Sequence, residues 1–211
     1  MIRTQIKLLK KKFKKFKIDG YIIPKNDEYF SEYAKNDRLR NISNFSGSAG
    51  LAVILKKNNY LFVDGRYTIQ AQQESAKNFK IIELYKKLPH SIIKGYNLGY
   101  DPRLFTSNNI KKYFLNNNLV SVNENLIDQL FKFKENNSKP FFSLQKKIVG
   151  ESHQSKIIKV TNFLKQNKAD YLFSSAPENI AWLLNIRGYD NPNSPIPNAR
   201  LIIDKNKKIF L

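Results

Sequence analysis

Apolar residues recur at steps of three and four near the start of the chain, as they do on one face of an α-helix. The positions that form this face are Ile6, Leu9, Phe13 and Phe16. Lysines occupy most of the other positions up to residue 17, and Asp19-Gly20 then breaks the pattern. The next residues, Tyr21-Ile22-Ile23 before Pro24, form the short apolar run of a buried strand. This order predicts an amphipathic helix that packs its apolar face on a sheet.

Helix and strand patterns then alternate as far as residue 133. The predicted strands cover residues 51–55, 60–63, 79–84, 98–100 and 119–122. The predicted helices cover short pieces within 28–46 and the ranges 67–76, 107–116 and 126–133. A turn at residues 56–59 joins the first two strands into a hairpin. Strands and helices that alternate at these lengths are typical of an α/β fold, in which helices pack on a sheet.

The composition of the chain changes after residue 134. Residues 134–140 are polar and rich in turn formers, which favours a linker between domains. Beyond it the pattern predicts a helix over 155–166, a strand over 171–173 and a short helix over 179–184. We therefore expect three segments. They are a first domain over residues 1–134, a linker over 135–152 and the start of a second domain over 153–211.

The second segment repeats the first. Three stretches match in the same order, about 140–150 residues apart. The matching pairs are Lys17-Ile18-Asp19-Gly20-Tyr21-Ile22 with Lys168-Ala169-Asp170-Tyr171-Leu172, Asn41-Ile42 with Asn179-Ile180, and the hairpin 54–62 with 202–210. The first copy continues with a helix and further strands after its hairpin, and the second copy stops inside the hairpin. We interpret the chain as one α/β unit followed by an incomplete second copy, and expect it to be the front part of a longer protein.

Residue counts exclude several kinds of site. The 211 residues include no Cys, which excludes disulfides, thiolate zinc sites and a cysteine nucleophile. His90 and His153 are the two histidines, too few for a multi-histidine metal site. No apolar run approaches the roughly 20 residues that span a bilayer, and the N-terminus lacks the apolar core of a signal peptide. We therefore expect a soluble, cytoplasmic protein.

The chain is strongly basic, with 37 Lys and Arg against 17 Asp and Glu and a formal net charge of +20. Such an excess can attract nucleic acid or an anionic membrane. Lysine, asparagine and isoleucine are, however, abundant throughout the chain, as in proteins from AT-rich genomes. We favour the interpretation that the lysines are solvent-exposed surface residues, and expect neither a nucleic acid nor a membrane as partner.

Asp64-Gly65-Arg66-Tyr67 is the most informative local motif. Asp can cap a helix that begins here, and Arg66 offers a planar fork that suits a carboxylate. The alternative is an Asp–Arg pair that only fixes the junction between strand and helix.

Residues 45–50 form a small-residue loop without the Lys-Ser/Thr ending of a P-loop, so we expect close backbone packing there. Trp182 is expected to pack in a core. We find no Ser-His-Asp arrangement and no paired-carboxylate motif, so the chain by itself is predicted to be non-catalytic.

Several stretches together resemble a known family. They are Asp19-Gly20-Tyr21-Ile22-Ile23-Pro24, Ser31-Glu32-Tyr33, Phe45-Ser46-Gly47-Ser48-Ala49-Gly50, Asp64-Gly65-Arg66-Tyr67, Glu124-Asn125-Leu126-Ile127-Asp128 and Ala181-Trp182-Leu183-Leu184-Asn185-Ile186-Arg187-Gly188. In this order, across nearly the whole chain, they resemble the N-terminal portion of cytosolic-type Xaa-Pro aminopeptidases (aminopeptidase P) of the creatinase/prolidase group. The resemblance implies creatinase N-terminal-type domains, each a mixed sheet flanked by helices, followed by a pita-bread catalytic domain that this chain lacks.

The resemblance also implies an activity. Enzymes of this family release the first residue of peptides that have proline in second position. Their catalytic domain holds two divalent metal ions, usually manganese, on Asp, His and Glu ligands, so no metal site and no bound cofactor is expected in this chain. The N-terminal domains would wall the active-site cleft and contribute to a homo-oligomer. Arg66 matches a substrate-contacting arginine of the family. The alternatives are a stand-alone, non-catalytic binding module and, with less support, a basic nucleic-acid-binding protein.

Overall fold

The computed structural model describes residues 2–31, 34, 36–131, 133, 139–191 and 193–211. The chain divides into two units, Met1–Lys134 and Glu135–Leu211, and each is described by itself. Glu32 and Tyr33 of the Ser31-Glu32-Tyr33 stretch lie outside the described residues, as do residues 134–138 of the predicted linker region. The predicted domain boundaries stay a prediction.

The first unit contains eleven helices and strands within its described residues. They are α1 (Ile2–Phe16), β1 (Gly20–Pro24), α2 (Arg38–Ser43), β2 (Gly50–Leu55), β3 (Asn59–Val63), α3 (Thr68–Ser75), β4 (Lys80–Glu83), α4 (Pro89–Ile92), β5 (Asn97–Tyr100), α5 (Ser107–Tyr113) and β6 (Asn118–Ser121). The amphipathic helix and the hairpin predicted from the sequence are confirmed, as α1 and as the antiparallel pair β2–β3.

The strands form one mixed sheet in the order β4-β3-β2-β1-β5-β6. β2 runs antiparallel to β1 and to β3, and the other neighbouring pairs are parallel. All strands except β2 therefore run in one direction. β1 lies near the middle of the sheet, where Gly20 pairs with Leu55 of β2 on one side and with Leu98 of β5 on the other.

Helices cover both faces of this sheet. On one face α1 inserts Ile6, Leu9 and Phe13, which are at most 5% exposed, into a cluster that includes side chains from β1, β2 and β3. On the other face Ile110 and Phe114, in α5 and just after it, cover apolar side chains of the same strands. Each fully buried side chain of this size contributes about 1.5–3 kcal/mol, so α1 is held by its apolar face even though its other faces are polar.

Two stretches differ from the sequence-based prediction. Among the described residues of 28–46, only Arg38–Ser43 form a helix. Residues 28 and 29 form a turn next to Asp27, and Asn44 ends the helix in the left-handed conformation with φ of 71°. Residues 126–130 form turns, where a helix over 126–133 was predicted. The side chain of Asn125 accepts the backbone N–H of Ile127, which replaces a helical start with a local turn.

The second unit has a smaller set of elements within its described residues. They are β7 (Phe141–Ser143), α6 (Lys146–Val149), α7 (His153–Gln166), β8 (Tyr171–Ser174), α8 (Pro177–Leu184), β9 (Ile186–Gly188), β10 (Leu201–Asp204) and β11 (Ile209–Phe210). β8, β10 and β11 form an antiparallel sheet in the order β11-β10-β8, and β7 pairs with β9. β7 and α6 lie within residues 135–152, so the described part of the predicted linker has regular structure.

The second unit repeats the architecture of the first. The order α7-β8-α8-β10-β11 reproduces α1-β1-α2-β2-β3, with the same antiparallel pairing. Lys17 and Lys168 end the first helix of each copy with φ of 53° and 52°. Lys56 pairs with Asp19 in the first copy at 2.7 Å, and Lys205 pairs with Asp170 in the second at 2.7 Å. The repeat read from the sequence is confirmed, because the arrangement of the first unit recurs in the second. The strand pairing corrects the alignment of the hairpin by one residue, since Ile202 takes the place of Val53 and not of Ile54.

The two copies differ in what covers their sheets. Phe173 and Ile202 pair across β8 and β10 and are 62% and 39% exposed, whereas their counterparts Ile22 and Val53 are buried. Trp182 is 61% exposed, so the expectation that it packs in a core is wrong. Its ring instead lies against the buried amine of Lys156, 4.1 Å from the ring centroid, and this amine satisfies carbonyl groups at the end of α8.

Candidate functional site

The carboxyl ends of the parallel strands meet at one edge of the first sheet, which we call the carboxyl edge. β1, β3, β5 and β6 end there at Pro24, Val63, Tyr100 and Ser121. The stretches singled out in the first unit adjoin these ends. Asp64 follows β3, residues 124–128 follow β6, and the loop 45–50 leads into β2 at the same edge. In open α/β sheets this is the edge at which ligands bind.

Asp64 organises the motif after β3. Its carboxylate accepts the backbone N–H of Arg66 at 2.9 Å, which caps the 3-10 turn Gly65–Tyr67, and accepts the Arg66 Nε at 3.0 Å. These bonds from Arg66 hold the pKa of Asp64 below its usual range. The guanidinium lies 5.4 Å from the ring centroid of Tyr67, while the Arg66 side chain stays 72% exposed. The junction pair considered from the sequence is therefore present, and it leaves the arginine facing solvent.

The loop 45–50 is fixed by packing and by hydrogen bonds to α3. Glu74 accepts both the backbone N–H and the hydroxyl of Ser46, at 2.8 and 2.7 Å. Burial alone would raise the pKa of Glu74, but these bonds outweigh it and the pKa is lowered. A Cβ on Gly47 would stand 2.3 Å from the ring of Phe45, so only glycine fits there. The close backbone packing predicted for this loop is confirmed.

Arg38 is the centre of a buried polar network beneath the carboxyl edge. Its side chain is 6% exposed and donates from Nε and Nη2 to the Asp128 carboxylate at 2.7 and 2.9 Å. Nη2 also donates to Glu28 at 2.7 Å. Lys25 forms a second ion pair with Asp37 beside it. One arginine thus ties the loop after β1 and the segment after β6 to the start of α2.

A second polar centre lies after β5. Asp101 is 1% exposed and accepts Arg103 Nη2 at 2.7 Å and Asn125 Nδ2 at 2.9 Å. Burial raises the pKa of Asp101, but the bonds from Arg103 and Asn125 outweigh burial, so the net pKa is lowered and the group stays ionised. The hydroxyl of Tyr21 accepts the backbone N–H of Leu126 at 3.3 Å, and burial raises the pKa of this tyrosine. Charged and hydrogen-bonded groups therefore support the carboxyl edge from below.

A cavity of about 250 Å³ opens at this edge. Its polar lining comes from Asn26, Asp64 and Asn109, and Asn26 also donates to the Leu104 carbonyl at 3.0 Å. Its apolar lining includes Pro24, Phe30, Leu51, Leu84, Tyr85, Leu104, Phe105 and Tyr113. A mainly apolar cavity with a few polar groups suits a small, partly polar ligand.

The described residues offer neither a metal centre nor a membrane span. No group of three or more His, Asp or Glu among them lies close enough to hold a metal ion, so they do not fit a metal cofactor. Each described helix is too short or too polar to cross a bilayer.

Comparison with protein-family models places both units. The Creatinase/Prolidase N-terminal domain model matches residues 5–130, and a second model with the same description matches residues 132–211. The chain belongs to the creatinase/prolidase N-terminal domain family. The fold class predicted from the sequence, a creatinase N-terminal-type domain followed by a second domain of the same type, agrees with this assignment.

Curated relatives match nearly the whole length of this chain. A probable Xaa-Pro aminopeptidase P of Laccaria bicolor is 32% identical over 96% of the chain, and Xaa-Pro aminopeptidase 1 of Dictyostelium discoideum is 31% identical over 98%. Xaa-Pro aminopeptidase 2 of Rattus norvegicus is 30% identical over 100%. The chain covers 34%, 37% and 34% of these proteins, so it spans about a third of the length of the relatives it matches.

A solved structure shares the fold. An X-prolyl aminopeptidase from Caenorhabditis elegans, described as a cytosolic enzyme with a di-nuclear active site, matches 99% of this chain with a TM-score of 0.84. The identity is 24%, and the match covers 38% of that protein. The match shows that this chain has the same fold as part of that enzyme.

Sequence reasoning found part of the candidate site. It singled out Asp64 and Arg66, which the structure places side by side at the carboxyl edge. It missed Arg38 and Asp101, which support that edge. Asp128 belongs to a stretch quoted for the family resemblance, but nothing in the spacing of 90 residues between it and Arg38 indicates that the two form an ion pair.

Proposed function

We propose that this chain is the N-terminal, non-metal-binding portion of a metal-dependent Xaa-Pro aminopeptidase, which releases the first residue of peptides with proline in second position. The names of the curated relatives and the match over nearly all of this chain support the proposal. Residues 1–134 and 153–211 are the two successive creatinase-type domains in this proposal, joined by residues 135–152. Because the chain spans a third of its relatives, the activity is proposed for a longer protein.

The observation that carries a binding role is the exposure of Arg66. The side chain is 72% exposed, and Asp64 fixes its direction through Nε. A guanidinium presents five N–H donors in a planar fork, which suits a carboxylate or peptide carbonyl groups. In the proposal Arg66 reaches over the cleft of the catalytic domain and binds a polar or carboxylate group of the peptide.

The other described residues of the first unit have a supporting role in this proposal. In this proposal the two divalent ions, with manganese expected, are held by the catalytic domain of the longer protein, and the described residues offer no group of ligands for them. The N-terminal domains wall the active-site cleft and restrict it to small peptides. The proposal further includes a homo-oligomer and a cytoplasmic location, in line with the cytosolic description of the Caenorhabditis elegans enzyme.

The first experiment reads the source DNA beyond the Leu211 codon. A reading frame that continues for some hundreds of residues with Asp, His and Glu at metal-ligand spacing supports the aminopeptidase. A stop codon at that point would favour the stand-alone binding module, and binding assays would then replace activity assays.

The second experiment tests Arg66 in the protein encoded by the complete frame. Release of the first residue from alanyl-prolyl-alanine, with Mn²⁺ supplied, is measured for the wild type and for Arg66→Ala. Charge-assisted hydrogen bonds contribute about 1.5–3 kcal/mol, so kcat/KM should fall roughly 10- to 150-fold. Arg66→Lys keeps the charge but loses the planar guanidinium, so its kcat/KM should lie between those of the wild type and Arg66→Ala.

Arg40→Ala is the control, because Arg40 is an exposed arginine on α2 that lies outside the motif Asp64–Tyr67. We expect its kcat/KM to stay within about twofold of the wild type, since exposed surface charges contribute little. Unchanged kinetics for a folded Arg66→Ala would refute the role of Arg66 without affecting the assignment of the activity.

A further inference from the structure

The outer face of α1 carries a row of cations. Arg3, Lys7, Lys11 and Lys14 follow one another at steps of four, four and three, which places them on one side of the helix. All four are exposed, while Ile6, Leu9 and Phe13 on the opposite side are buried in the core. At 1.5 Å per residue the row is about 17 Å long. We call these four residues the basic ridge.

The repeat provides an internal comparison for the basic ridge. α7 has the same position in the second unit, and its 14 residues carry three lysines, against seven Lys and Arg in the 15 residues of α1. Of those three, Lys156 is buried and Lys159 pairs with Glu151. A general preference of the genome for lysine would act on both copies. The ridge is therefore specific to α1, and packing against the sheet does not require it.

The basic ridge is not neutralised by neighbouring carboxylates. α1 contains no Asp or Glu, and none of the ion pairs among the described residues involves a cation of α1. The next acidic residue in the chain, Asp19, is already paired with Lys56 at 2.7 Å. Like charges at steps of three and four repel one another, which costs a few tenths of a kilocalorie per mole for each pair. A polyanion bound along the ridge would relieve that repulsion.

The chemistry of α1 favours a phosphate backbone over a lipid surface. A helix that binds a bilayer inserts an apolar face among the lipids. In α1 that face lies in the protein core, and Leu8, at 39% exposed, is the one large apolar side chain among its exposed residues. A straight row of cations without apolar residues suits a chain of phosphates. We propose that the basic ridge of α1 binds the phosphate backbone of nucleic acid without reading its sequence.

From the total charge we expected no nucleic acid as partner, and this proposal departs from that expectation. It does not depend on the proposed peptidase activity. Each phosphate contact on duplex DNA lowers the slope of log K against log salt by about 0.9, so four contacts predict a slope of roughly −3.6. Binding should therefore be measurable at low salt and weaken steeply as the salt concentration rises.

The test measures binding of the 211-residue chain to a fluorescent 20-base-pair duplex by polarisation, over a range of NaCl concentrations. A ridge variant, Lys7→Glu with Lys11→Glu and Lys14→Glu, should lose most of the affinity, with a slope near −1 for the remaining contact. The control variant, Lys94→Glu with Lys111→Glu and Lys112→Glu, makes the same change of net charge at three exposed lysines elsewhere in the first unit. It should keep most of the affinity and of the slope.

Three outcomes would overturn the proposal. One is an equal loss in the two variants, which would show that total charge and not the ridge attracts the duplex. Another is the absence of binding by the wild type at low salt. The third is binding to vesicles rich in phosphatidylserine without binding to the duplex, which would make the ridge a lipid-binding surface. Circular dichroism confirms beforehand that both variants are folded.

Discussion

Arg38 is the residue whose replacement tests the account of the carboxyl edge most directly. Arg38→Met keeps most of the side-chain volume and removes the guanidinium. The change breaks the paired bonds to Asp128 and the bond to Glu28 at once. The carboxylates of Asp128 and Glu28 then lose the cation to which they are hydrogen-bonded.

The cost follows from burial. Breaking a buried ion pair by removing one partner costs about 3–5 kcal/mol. Here the arginine is 6% exposed, but the Asp128 and Glu28 side chains are 35% and 29% exposed, so water partly solvates the orphaned carboxylates. We therefore expect the free energy of unfolding of the first unit to fall by about 2–3 kcal/mol. For a unit of this size the midpoint of thermal unfolding should fall by about 6–12 °C.

The assay is urea unfolding of the 211-residue chain, followed by two probes. Far-UV circular dichroism reports both units, and fluorescence of Trp182, the one tryptophan of the chain, reports the second unit. We expect Arg38→Met to move the circular dichroism transition to lower urea concentration, and the fluorescence transition shows whether the second unit is affected as well. Lys86→Met is the control, because it removes an ion pair with Glu83 in which the lysine is 75% exposed, and should cost under about 0.5 kcal/mol.

A loss below about 0.5 kcal/mol for Arg38→Met would refute the reasoning, since the network would then contribute no more than an exposed pair. A loss as large in Lys86→Met would do the same, because burial would then not distinguish the two sites.

Two further predictions concern buried polar groups. Lys156→Met leaves the Trp182 carbonyl and the Asn185 side chain without their donor, so unfolding of the second unit should become easier by about 1–3 kcal/mol and Trp182 emission should shift; unchanged emission would contradict the ring contact. The lowered pKa of Asp101 means that its ionised form stabilises the fold above the unfolded-state pKa of about 3.9, and that this stability is lost as pH falls through the folded-state value. Asp101→Asn should therefore be less stable than the wild type at pH 7, and urea midpoints of the two proteins should converge below about pH 4; parallel curves would count against it.

Much of the fold could be predicted from local patterns. The periodicity of Ile6, Leu9 and Phe13 was sufficient for α1, and the two apolar runs around residues 56–59 for the hairpin. Both depend on interactions between residues close in sequence. The prediction failed at residues 126–130, because a side-chain bond from Asn125 competes with the helix. It also failed at Trp182, because one apolar residue at helical spacing does not show which face of a helix is covered.

The sequence by itself determined the alternation of helices and strands, the repeat of one unit and the motif that contains Arg66. Only the tertiary structure decided which residues support that motif, because Arg38 meets Asp128 across 90 residues and Asp101 meets Asn125 across 24. Local periodicity shows which side chains of a segment can be buried together. The strand order of the sheet determines which charged groups, distant in sequence, come within hydrogen-bonding distance.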